Sequence, residues 1–88
     1  MYYFIDVNDD DFEIGNADQS TFIMDSAKDL GLIDLYDFFA KGWSDSKNGI
    51  IKDIESVNWS KKRSYNEVVA NLLESVKKAR FPIIIPQT

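Results

Sequence analysis

Apolar and polar positions alternate, then switch to helical spacing, then return to an extended run. Residues 2–7, Tyr-Tyr-Phe-Ile-Asp-Val, are aromatic and β-branched and predict a strand. The Asn8-Asp9-Asp10-Asp11 cluster is a turn signal. Phe12-Glu13-Ile14 alternates and predicts a short returning strand, closed by Gly15-Asn16. Over 19–30, Phe22 or Ile23, Ala27 and Leu30 fall on one helical face, with Asp18 or Ser20 as the cap. Gly31 stands where a left-handed C-terminal cap belongs. A second helix is expected over 33–41, with Leu35, Tyr36 and Phe39 as its apolar stripe and Gly42 as its stop.

Residues 44–49 read as a loop. Residues 50–57 place Ile50, Ile54 and Val57 at helical spacing, although their β-branched content also suits a strand; helix is the preferred reading. Residues 64–79 carry the clearest helical pattern. Ser64 and Glu67 form a capping box, Val68, Val69, Leu72, Leu73 and Val76 make a broad stripe, and Lys77, Lys78 and Arg80 suit the negative end of the helix dipole. Pro82 stops the helix, and Ile83, Ile84 and Ile85 read as a short buried strand. The expectation is one α+β domain over residues 1–88, in which a small sheet formed by the N- and C-terminal strands packs against three to four helices.

Composition supports folding: 44% of the residues are hydrophobic and 14% aromatic, enough for one core in 88 residues. Neither cysteine nor histidine occurs. Disulfides, zinc–thiolate sites and thiol catalysis are excluded, and the commonest metal ligand and neutral-pH proton carrier is missing. These absences argue against an enzyme. The N-terminal residues lack the basic and long apolar regions of a signal peptide, and no run approaches the roughly 20 apolar residues of a membrane span, so a cytoplasmic protein is expected.

Charge is divided unevenly along the chain. Residues 1–45 carry eleven acids against two bases, and residues 46–88 carry four acids against eight bases. Ten of the eleven front-half acids are Asp. Asp forms helices less readily than Glu but holds its charge close to the backbone, which suits a pre-set surface for a cationic partner. Solubility and helix-dipole compensation would account for the same residues one at a time. The expected partner surface comprises Asp25, Asp29, Asp34, Tyr36, Asp37, Trp43 and Asp45.

Other chemistries fit less well. A calcium loop starting at Asp6 puts Asp11 where Gly is needed and Ala17 at position twelve; starting at Asp9 puts Ile14 and Ser20 there, so both frames fail. The four glycines are isolated, which excludes a Gly-rich phosphate loop. Lys61-Lys62-Arg63 between Trp59 and Tyr65 has the makings of a nucleic-acid patch, but three cations ahead of a helix are more often a solvated linker. Of the two tryptophans, Trp43, flanked by Lys41, Gly42, Ser44 and Asp45, is the better interface candidate. No metal and no cofactor is expected.

A chain of this length with Asp-rich helices around Tyr36 and Trp43 resembles bacterial immunity proteins, the inhibitors of colicin-type and contact-dependent growth-inhibition nuclease toxins. Its ending, a capped helix followed by Ile83-Ile84-Ile85, is similar to that of barstar-type proteins. The resemblance implies a small parallel sheet flanked by helices, and acidic helix residues (here Asp25, Asp29, Asp34, Asp37 and Asp45) that plug a basic RNase or DNase active site. Two alternatives are a phage-encoded acidic DNA mimic that inhibits a host defence protein, and a small nucleic-acid-binding regulator using residues 44–80.

Overall fold

The two terminal strands meet in one sheet, as their apolar patterns predict. In the computed structural model, which describes residues 2–59 and 66–86, the elements are β1 (Tyr2–Ile5), β2 (Asp11–Gly15), α1 (Ala17–Leu30), α2 (Ile33–Lys41), β3 (Trp43–Ser44), α3 (Lys47–Glu55), α4 (Asn66–Lys78) and β4 (Ile83–Ile84). The sheet order is β2-β1-β4-β3. The protein is thus an α+β fold in which a four-stranded sheet packs against four helices. Every strand pairing is antiparallel, which corrects the parallel sheet implied by the barstar-type resemblance. Ser64 of the expected capping box lies outside the described residues, as do Lys61, Lys62 and Arg63.

The first hairpin is organised by Asp6. Its side chain is 5% exposed, and its Oδ1 accepts the N–H groups of Asn8 at 2.9 Å and Asp10 at 3.0 Å. Its Oδ2 accepts the N–H of Arg80 at 3.1 Å, tying the hairpin to the segment entering β4. Asp6 therefore belongs to the internal framework, not to the surface charge. Asp9 sits in the left-handed region at φ 63°. A β-branched side chain is strained there, so Asp9→Val should destabilise the fold by about 1–2 kcal/mol. Asp9→Gly should stay within about 0.5 kcal/mol of the parent in urea denaturation.

Helix α1 starts two residues before the expected point. Asn16 is its cap, rather than Asp18 or Ser20. Its side chain accepts the Gln19 N–H, and the Gln19 side chain accepts the Asn16 N–H, both at 2.9 Å. Two orphan donors are satisfied reciprocally. Gly15, at φ 133°, makes room for this box, since a Cβ there would lie 2.6 Å from Gln19 Oε1. Ser20 is instead buried.

At its far end α1 closes with a Schellman motif. The Leu32 N–H reaches Ala27 O and the Gly31 N–H reaches Lys28 O, with Gly31 left-handed as expected. This geometry folds Leu32 under Ala27 into the core and leaves Leu30, expected inside, half exposed.

The core is continuous from sheet to helices. Phe4, Ile14, Ile23, Ala27, Leu35, Phe38, Ile50, Ile54, Leu72, Val76 and Ile83 are all buried. In α2 the fully buried pair is Leu35 and Phe38. Tyr36 and Phe39, expected in the stripe with Leu35, are only half-buried at its flanks. The 50–57 segment is helical, though α3 begins at Lys47. Trp59 is buried and donates its indole N–H to Ile54 O at 2.9 Å, closing the C-terminal end of α3. The 83–85 strand pairs as expected, but its middle residue faces away from the core: Ile83 is fully buried and Ile85 packs partly buried against the core, whereas Ile84 is 54% exposed.

Candidate functional site

Helix α2 has no side-chain cap of its own. Asp53 of α3 supplies one from across the interface, its Oδ2 accepting the Leu35 N–H at 3.1 Å. In return, Asp34 in the first turn of α2 lies directly over Gly49 of α3, where a Cβ would collide with its carboxylate. Each helix thus places an acid at the N-terminal, positive end of the other's dipole. This exchange fixes where the acidic face of α2 points.

The other end of α2 sets the tryptophan. Gly42 is left-handed at φ 78° and its N–H returns to Phe38 O, so the chain leaves the helix in a single residue. The Ile85 N–H clips the Gly42 carbonyl at 2.7 Å. Trp43 follows as the first residue of β3, 49% exposed. Buried Ser44 accepts the Ser46 N–H on its Oγ at 3.0 Å, turning the chain toward α3 with Asp45 exposed at the bend.

Asp34, Asp37, Lys41, Trp43 and Asp45 consequently line one shallow depression of about 160 Å³. Among the described lining residues, three carboxylates and a half-exposed indole face a single lysine. Lys41 lies 3.5 Å from Asp37, in an exposed i,i+4 pair of the kind worth only about 0.3–0.5 kcal/mol. A cation from outside can readily replace it. Carboxylates beside an accessible indole face suit a guanidinium or ammonium group: the acids satisfy its N–H donors and the ring attracts its charge.

Four of the seven residues expected from sequence are therefore gathered here. Asp25 and Asp29 are exposed on α1 but do not line the depression. Tyr36 is half-buried against the core. Asp37 is the sole front-half acid in a described salt bridge with one of the protein's own bases; the other described pairs, Lys77–Glu55 and Lys78–Glu74, involve later residues.

Among the described rear-half bases, Lys47, Lys77 and Lys78 have partners, whereas Lys61, Lys62 and Arg63 lie outside the described residues. Lys47 donates to Ala79 O at 2.7 Å, closing the end of α4, and its ammonium lies 5.9 Å from the Phe81 ring centre. Its role was not visible in the sequence, because the contact spans 32 positions. Among the described residues no helix is long and apolar enough to cross a membrane, and no group of three potential metal ligands is assembled. No protein-family model matches the chain, nor does any curated protein or any solved structure.

Proposed function

We propose that the chain is an immunity protein that binds a cognate basic nuclease toxin, an RNase or DNase, in the cytoplasm. It occludes the toxin's active site with the acidic corner where α2 meets β3, and has no catalytic role itself. The observation that carries this reading is the convergence of Asp34, Asp37 and Asp45 on exposed Trp43, with Lys41 the one cation among the described residues that line the depression. A nuclease cleft is cationic because its substrate is anionic, so these groups are complementary to it in charge. An aromatic anchor beside charges that pair with arginine is also the usual make-up of an energetically dominant contact.

The alternatives have less to support them. A DNA mimic needs its acids outside and evenly spaced, whereas Asp6 is internal. A nucleic-acid regulator using residues 44–80 has less to draw on among the described residues, where Lys47 is held by the Ala79 carbonyl and lies against the Phe81 ring.

The test uses any nuclease toxin domain found encoded beside this chain. Tight binding is expected, with an association rate that falls steeply between low and high salt. The triple variant Asp34→Asn, Asp37→Asn, Asp45→Asn should associate roughly tenfold more slowly at low salt and lose most of that salt dependence. Failure of the parent protein to bind or inhibit the toxin overturns the assignment. A mobility shift with DNA or RNA at modest salt would favour the regulator instead.

A further inference from the structure

Among the described residues, the helices leave the outer face of the sheet uncovered, and three register pairs show what it presents. Residues directly opposite in an antiparallel pair point to the same side. Asp11 is opposite Ile5, Ile5 opposite Ile84, and Ile84 opposite Trp43. These four residues form one row across all four strands. The neighbouring pairs Phe4–Phe12 and Ile83–Ser44 point the other way, into the core. Tyr3, opposite Glu13, and Val7, which continues the alternation past β1, widen the outer patch; they are 37% and 57% exposed.

An antiparallel sheet with one wet face ordinarily carries polar residues there. Here β4 has isoleucine on both faces, and the outer row runs Ile5, Ile84, Trp43. Clustered exposed apolar groups of this kind mark a contact surface.

The charge around the row indicates what covers it. Asp11 and Glu13 flank it on β2, and Asp45 and Asp37 flank it beside Trp43. Among the described residues, Lys41 beside Trp43 is already paired with Asp37, and the Arg80 carbonyl accepts the Val7 N–H. Two copies laid face to face about a two-fold axis would set acids against acids, whichever ends met. Such like-charge contact costs several kcal/mol.

We propose that the row Ile5–Ile84–Trp43 is the apolar centre of a partner interface rimmed by carboxylates at both ends, and that it takes a protein surface with an apolar middle flanked by arginine or lysine. This rests on the proposed function in assigning a basic partner. It extends that reading by moving the centre of contact from the α2 corner onto the sheet, with Trp43 shared by both.

The test has two arms. In the first, the full chain is titrated with a short synthetic peptide having leucines in the middle and arginines at both ends, followed by amide chemical shifts. Shifts should centre on Tyr3, Ile5, Trp43 and Ile84, and Ile84→Ser should weaken binding about tenfold, the effect of losing one buried aliphatic side chain. Trp43→Ala should do the same. Both side chains are already half exposed, so unchanged thermal unfolding serves as the folding control. Absence of binding, shifts confined to the helices, or equal binding by a serine-centred peptide overturns the proposal. So does self-association of the free protein in sedimentation equilibrium, which would identify a second copy as the occupant.

In the second arm, the neighbouring toxin domain is the probe. If the parent binds it and Ile84→Ser changes the affinity less than twofold, the sheet-face inference falls while the immunity reading stands. If the parent does not bind it, the immunity reading falls and the peptide arm decides this one.

Discussion

Phe38→Ala should cost about 3–5 kcal/mol, the range for deleting a large aromatic ring from a tight core. The ring is fully buried. It meets Phe4 edge-on at 5.7 Å between centres and Phe39 at 5.3 Å, and Phe4 in turn stacks on Phe12 at 5.1 Å. This aromatic chain is how β2, β1 and α2 are held together. A protein of this size has a total stability of only about 4–13 kcal/mol, at about 0.05–0.15 kcal/mol per residue. The variant should therefore be largely or wholly unfolded at 37 °C, or melt at least ~15 °C below the parent. Phe39→Ala, at a half-buried site, should cost clearly less. Thermal and urea unfolding of both variants checks the pair, and a loss below about 1 kcal/mol for Phe38→Ala would place the ring outside the load-carrying core. The same residue bears on function, since the Phe38 carbonyl receives the Gly42 N–H that turns the chain into Trp43.

What the sequence made legible follows from the range of the interactions involved. Helix positions set by local rules were readable: Gly31 and Gly42 end their helices in the left-handed conformation the sequence suggests. The Asn16–Gln19 box has a local signal too, an amide three residues from an amide, but Asp18 and Ser20 are also good caps and compete for the assignment. Periodicity alone did not separate Phe38 from Tyr36 and Phe39, because an apolar cluster this dense fits more than one helical face. Strand β3 has two residues and hence no period to detect; it exists because β4 arrives beside it.

The site divides along the same line. Asp34, Asp37, Trp43 and Asp45 come together because one glycine turn links their elements, a relation that sequence proximity conveys. Asp25 and Asp29 satisfy the same charge argument but sit on a different helix, and charge has no address. The outer row of the sheet depends on register between segments as far apart as β1 and β4, which no local pattern specifies.

Asp6 shows how a charge count misleads and gives the second large prediction. Counted from sequence, it is one more surface acid; in the fold it accepts three backbone N–H groups and joins residues 74 positions apart. Burial pushes its carboxyl up, but the N–H groups of Arg80, Asp10 and Asn8, aided by the Arg80 charge, more than offset this. The net effect lies below the ordinary value of 3.8. A carboxylate uses both oxygens here. An asparagine offers only one, and whichever way its amide is turned, its NH2 group must face a backbone donor. Asp6→Asn should therefore be nearly as damaging as Asp6→Ala, each lowering Tm by roughly 10 °C or more at pH 7.

The pH dependence has a definite sign. With the folded pKa depressed, the unfolded chain binds the proton more readily. The stabilisation from Asp6 is thus fully present above the unfolded value and is lost as the pH falls through it and on past the folded one. In thermal unfolding at pH 7, 5 and 3, the gap between parent and Asp6→Asn should be the same at the first two and narrower at the third. A gap that is constant down to pH 3 would mean that the carboxylate charge contributes nothing beyond its shape.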